Sequence, residues 1–211
     1  MAELRFFNPY ADIRFTANRL PHWQQSGAVY FVTFRLADAV PYNLRTQWES
    51  ERDGWLRLHP KPWSAEIECQ YHERFSGTIE PWLDAGYGSC ILRPPNCAEI
   101  VTQTLRYFDG QRLVMISFVV MPNHAHALFV QNAEWPLEKV LRSWKSFTSR
   151  KINSLLRREE VFGNGIILIG WFGMKDISRI AYDIFAGILQ RRACTVEGYT
   201  LYETDLARSI E

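Results

Sequence analysis

Hydrophobic positions along the chain follow two periods, and the switch between them marks the elements. Residues 28–36 (AVYFVTFRL) are β-branched and aromatic on both faces, which predicts a strand in the middle of a sheet. From Cys97 to Phe108, the residues Ile100, Val101, Leu105 and Phe108 recur at helical spacing, and Gly110 follows as a stop. Residues 112–121 predict a second strand, Pro122–Asn123 a turn, and residues 124–130 a third strand antiparallel to the second. The clearest helix is predicted over 137–156, with Leu137, Val140, Leu141, Trp144, Phe147, Ile152, Leu155 and Leu156 as its apolar stripe.

The order strand, insertion, helix, strand, strand, helix predicts an α+β fold. Its expected form is a ferredoxin-like antiparallel sheet with helices on one face and a helical insertion after the first strand. One more strand and helix would complete it. The insertion covers about 41–90, with helices expected over 44–58 and 65–83, Pro60 and Pro62 between them, and Gly86 and Gly88 at the end. Residues 1–23 mix aromatic and polar types around Pro9 and Pro21 and are expected to form an irregular arm.

A chain of 211 residues, 47% hydrophobic and 22% charged, fits one packed domain with an insertion. The net charge of +1 neither demands nor excludes a nucleic-acid partner, so the local distribution of charge matters more. Cys69, Cys90, Cys97 and Cys194 form no C-x-x-C pair, and with no signal peptide in view reduced cytoplasmic thiols are expected. The longest apolar run, around 113–121, is too short to span a bilayer.

Against that background His124 and His126 stand out. They are two apart on a predicted strand, so both side chains face the same way and can converge on one divalent ion, while Ala125 points into the core. A third protein ligand is then needed, with the open positions left for water or phosphate oxygens. Read alone, an H-x-H pair is more often two histidines on a strand with no ligand. The helix that follows carries Lys139, Arg142, Lys145, Arg150, Lys151, Arg157 and Arg158 against the single acid Glu138, a local basic surplus able to meet phosphates or simply to be solvated. Most of the eight tryptophans are expected in packing, with some able to stack unpaired bases. His22, His59 and His72 fall outside any ligand spacing and are expected to be structural or on the surface.

Four runs together carry a family resemblance: PHWQQSGAVYFVTFRLAD (21–38), YHERFSGTIEPWLDAGYGSCILR (71–93), VVMPNHAHALF (119–129) and LRSWKSFTSRKIN (141–153). Over about residues 20–160 the chain resembles REP-associated tyrosine transposases, single-tyrosine members of the HUH nuclease and transposase superfamily. The resemblance implies a divalent metal, Mg2+ or Mn2+, held by His124 and His126. It implies single-stranded or hairpin DNA from repeated palindromes as substrate, and a tyrosine that attacks a phosphodiester to leave a 5′-phosphotyrosine and a free 3′-hydroxyl. It also implies a cytoplasmic, nucleoid-associated protein that can act as a homodimer. Lys145, with Arg142, Arg150 and Lys151 beside it, is then the expected DNA contact.

After Val161 the family pattern of a further strand and a tyrosine-bearing helix does not continue; the chain reads FGNGIILIGWFGMKDISRIAYDIFAGILQRRACTVEGY. Codons that encode the family pattern spell Ile167–Phe172 when read one base later, so residues from about 162 onward are expected to be a frameshifted tail. The nucleophile would then fall across the codons of Asp183 and Ile184, and Tyr182 is the nearest phenol left. Two readings follow: an active strand transferase using Tyr182, or a catalytically dead relative that binds DNA hairpins. A hydrolase of small phosphate esters using the same histidines is the reading from another class.

Overall fold

The computed structural model describes residues 14–16, 22–24, 27–157, 167–168 and 200–203. Within the region read as an irregular arm, β1 (Arg14–Thr16) and β2 (His22–Gln24) pair antiparallel, with Phe15 opposite Trp23. Short runs with an aromatic at the centre gain from cross-strand pairing, and the two proline positions read as punctuation hid that ribbon.

The main sheet is built on β3 (Val29–Arg35), β4 (Leu113–Val120) and β5 (His124–Gln131). β5 pairs antiparallel with both β3 and β4. The edges are taken by β6 (Ile167–Leu168) beside β3 and β7 (Thr200–Glu203) beside β4, giving the order β6-β3-β5-β4-β7. The chain therefore crosses from β3 to β4 and returns through the tight Pro122–Asn123 turn to place β5 between them. This is an α+β architecture, as the periodicity predicts.

Two helices cover one face: α4 (Pro95–Arg106) and α5 (Leu137–Leu155). Pro94 and Pro136 stand at their N-caps, where a missing N–H costs nothing. Tyr30, Val32, Phe34, Ala125, Ala127, Phe129 and Phe118 from the strands pack with Val101, Leu105, Val140 and Trp144 in one core. Thr148 occupies the buried stripe of α5, whereas Phe147 and Leu155, expected there, are each 43% exposed. Their positions lie at the flanks of the stripe, which only five residues of this helix fill.

The alternate strand residues form a second set. Val29, Phe31, Val119, Met121 and Leu128 are buried but do not belong to that core. Alternation along the strands places them on the opposite face of the sheet. A bulge between Met115 and Ser117 keeps Phe118 and Val120 on the helix side.

The insertion forms α1 (Tyr42–Leu58), α2 (Ala65–Tyr71), one wide turn (His72–Ser76) and α3 (Gly77–Asp84). Its aromatics pack on one another. Trp55 stacks on His59 at 4.0 Å between ring centroids and meets Trp63, Tyr71 and Phe75. Trp48 donates its indole N–H to the Phe75 carbonyl (3.0 Å) and Trp63 to that of His59 (2.8 Å). These rings hold the insertion together, which is the packing role expected for most tryptophans.

The insertion is tied back where β3 ends. The Asp38 carboxylate accepts a hydrogen bond from the Ser89 backbone N–H (2.7 Å), and Gly88 lies against the Asp38 backbone with φ +90°. A methyl group at Gly88 would collide with the Asp38 carbonyl in a backbone region closed to side chains. Gly88→Ala is expected to lower stability by about 2–3 kcal/mol, combining strain and overpacking. Urea denaturation checks this, with Gly54→Ala as a control at a helical site whose added methyl meets nothing within 4 Å.

Candidate functional site

The candidate site is laid out by strand register. His126 lies opposite Thr33 on β3 and Val119 on β4, and His124 lies opposite Arg35. Ala125 and Ala127 between and beyond them are in the core under the helices. Both imidazoles therefore point to the face opposite α4 and α5. Their ring centroids are 4.7 Å apart at 76°, close enough for both rings to reach one ion at the roughly 2.0–2.1 Å of a metal–imidazole bond.

Hydrogen bonding settles the tautomer of His124. The Asn123 side-chain NH2 donates to the carbonyls of Leu83 (3.1 Å) and Tyr87 (3.1 Å). That fixes the amide, so its Oδ1 faces His124 Nδ1 at 2.8 Å and must accept. Nδ1 carries the proton, and Nε2 is left with a bare lone pair, buried and without a hydrogen-bond partner among the described residues. Metal-binding histidines are typically oriented this way, with the remote nitrogen protonated onto a carbonyl. His126 Nδ1 is 2.9 Å from the Thr33 hydroxyl, and its ring stacks on Phe31 at 5.3 Å. A protein oxygen thus orients each ring through its Nδ1.

The pair is closed to solvent: His124 is 0% exposed and His126 1%. Burial pushes the His124 imidazole down to about 4, opposed by the charge of Asp84. Burial, reinforced by His124, holds His126 well below its ordinary range. Both are neutral at physiological pH, the form that binds metal. Among the described residues no three His, Cys, Asp or Glu side chains gather in one place.

The depressed values have a consequence for stability. Above about pH 6.5 both folded and unfolded chains hold neutral imidazoles and the contribution is complete. Below it the unfolded chain takes up protons that the folded chain refuses, and stability falls until the pH passes the folded value of about 4. For His124 the loss by about pH 5 is on the order of 2 kcal/mol. Urea titrations between about pH 7.5 and about pH 5 should show this fall, and a shallower one in His124→Gln; equal slopes would contradict it.

The four basic residues of α5 stand elsewhere. Arg142, Lys145, Arg150 and Lys151 are all exposed. Their helix packs through Trp144 on Phe34 (5.6 Å) and Phe129 (5.4 Å), on the other side of the sheet from the imidazoles. The structure therefore does not bring the basic helix and the histidine pair onto one surface. Tyr182 lies outside the described residues, as does Cys194. Cys69 is exposed, Cys90 half-buried and Cys97 buried. Among the described residues no helix is long and apolar enough to cross a membrane.

Three residues gain roles the pattern did not assign. Asn123 fixes the His124 tautomer, Thr33 meets His126, and Arg35 shares a row with His124. Asn123 reads from sequence only as turn chemistry. The signals for the others were a lone hydroxyl and a lone charge inside an otherwise apolar strand. No protein-family model, curated protein or solved structure matches the chain.

Proposed function

We propose that this chain is a metal-dependent DNA-processing protein of the REP-associated tyrosine transposase type, acting on single-stranded or hairpin DNA at the face of the sheet that carries His124 and His126. The observation that carries the reading is the unpartnered, deprotonated Nε2 of His124, buried beside a second imidazole on the same face. A buried acceptor left without a partner is costly unless something else satisfies it, and a cation does so. The two proposed donors are imidazole nitrogens, which suit Mn2+ better than Mg2+.

A bound divalent ion supplies Lewis-acid polarisation of a phosphodiester. Asn123 keeps the proton on Nδ1 of His124, so that ring presents its lone pair, and Thr33 holds the ring of His126. Arg35, in register with His124, adds positive charge to the same face. Tyr182 is the proposed nucleophile: its phenol oxygen loses a proton and bonds to phosphorus, the bond to the 3′-oxygen breaks, and that oxygen takes up a proton. The imidazole nitrogens proposed to hold the ion are buried in this conformation.

The second reading is a hairpin-binding relative without strand transfer. It is favoured by the closure of the pair and by the exposed basic residues of α5 on the far side of the sheet, where phosphate contacts need no metal. Incubating the full chain with a 5′-labelled hairpin and Mn2+ separates the two. A covalent protein–DNA adduct that disappears in Tyr182→Phe supports strand transfer. Binding without an adduct supports the second reading. An adduct unchanged in Tyr182→Phe removes that tyrosine. On the second reading, Lys145→Ala is expected to reduce the slope of log affinity against log salt by about one.

A further inference from the structure

Beside the end of β3, the insertion and the sheet enclose a recess of about 30 Å³ lined by Arg35, Arg45, Arg52, Glu49, Trp48 and Trp82. Its charge is unbalanced. Arg35 is only 4% exposed; among the described residues its Nε has no hydrogen-bond partner, and its Nη1 makes a long contact of 3.5 Å to the Leu36 carbonyl. Arg45 Nε lies 3.9 Å from Glu49, an ion-pair distance too long for a hydrogen bond, and is also unsatisfied. Arg52 is held by Asp53 at 2.7 Å and stacks over Trp48 at 4.7 Å. One carboxylate, Glu49, thus faces two guanidinium groups with donors to spare. Burial and the nearby Arg45 both lower the affinity of Arg35 for its proton, with Glu49 opposing them.

A buried guanidinium with an unused donor is expensive unless an anion completes it. We propose that this recess is a phosphate subsite for a nucleotide, with the phosphoryl oxygens on Arg35 and Arg45 and the base against the indoles of Trp48 or Trp82. The size sets the division: one water needs roughly 10–15 Å³ of such space, so the recess takes one phosphoryl group and leaves the nucleoside outside. Arginine is suited to this because its planar fork matches phosphate oxygens in pairs. The subsite shares Arg35 with the histidine face but no metal ligand. It rests on the DNA reading only for whether the nucleotide belongs to a strand or is free.

The test is calorimetric titration of the full chain, without metal, using inorganic phosphate, a deoxynucleoside 5′-monophosphate and a 5′-phosphorylated single-stranded oligonucleotide. Saturable binding of one equivalent is expected, with the mononucleotide roughly fivefold to a hundredfold tighter than phosphate through stacking. Arg45→Gln, a change at a partly exposed side chain, is expected to weaken binding roughly tenfold or more. Trp82→Leu is expected to erase the advantage of the nucleotide over phosphate, or Trp48→Leu if that indole carries the base. Arg35→Gln is read only if its far-ultraviolet spectrum matches the parent, since the residue is buried. Binding of the mononucleotide but not the oligonucleotide supports the subsite and counts against a strand as its ligand. Tight oligonucleotide binding that is weakened in Arg45→Gln supports the subsite with a strand as its ligand. No saturable binding of any of the three, or binding unchanged in Arg45→Gln, overturns the proposal.

Discussion

Asn123→Ala is expected to weaken divalent-metal binding by roughly 10- to 100-fold, although Asn123 is not itself a proposed ligand. Its amide oxygen is the acceptor that keeps the His124 proton on Nδ1. Without it the imidazole is free to carry that proton on Nε2, the atom proposed to hold the ion. The same substitution leaves the carbonyls of Leu83 and Tyr87 and the Nδ1 proton unsatisfied in a site that is 1% exposed. A further stability loss of about 2–4 kcal/mol is expected from those orphaned groups. Asn123→Asp separates the two effects. The carboxylate still accepts from Nδ1 but offers no donors to the carbonyls, so stability should fall while metal affinity is kept. Metal titration and urea denaturation of the three proteins read this out. Equal metal affinity in Asn123→Ala and the parent would show that the tautomer does not govern the site.

The second large effect is in the core. Trp144→Ala is expected to destabilise the fold by about 3–5 kcal/mol. Trp144 is 2% exposed and is the ring through which α5 rests on Phe34 and Phe129. Natural domains have only about 5–15 kcal/mol in total, so this one truncation should leave the chain marginal. The indole N–H has no hydrogen-bond partner among the described residues, which makes the side chain a wedge of volume and not a polar anchor. Trp144→Phe should therefore cost little, under about 1.5 kcal/mol, because it removes the unsatisfied donor and keeps most of the packing. Thermal unfolding of both variants tests the contrast, and a Phe variant as damaged as the Ala variant would contradict it.

Much of the fold was legible because strand and helix periods differ so sharply here. The three long strands are apolar on both faces, and such runs have little alternative to a sheet interior. β4 and β5 sit within one or two residues of their expected limits because Pro122–Asn123 closes the turn between them. The β1–β2 ribbon was not legible, since three-residue strands carry too few positions for a period to show. In α5 the apolar residues Phe147 and Leu155 lie beyond the helix's contact with the sheet, a limit set by tertiary packing and not by spacing.

For the site, the shared direction of His124 and His126 follows from spacing two on a strand, but their depth does not. Burial depends on what lies over the face, and strand periodicity is silent on that. The basic helix illustrates a second limit. Lys145 and the histidines are close in sequence order, yet the sheet stands between them. Helix periodicity shows which face of α5 is basic and not which side of the sheet the helix covers. The tautomer of His124 was beyond reach as well, because it depends on Leu83 and Tyr87, some forty residues away, fixing the Asn123 amide.

The central claim is that His124 and His126 share one cation. Titrating the full chain with Mn2+ and following the loss of the free-ion electron paramagnetic resonance signal measures it most directly. The account predicts uptake of one equivalent, abolished in His126→Ala and in His124→Ala. No uptake by the parent chain, or uptake unchanged in both variants, would contradict it.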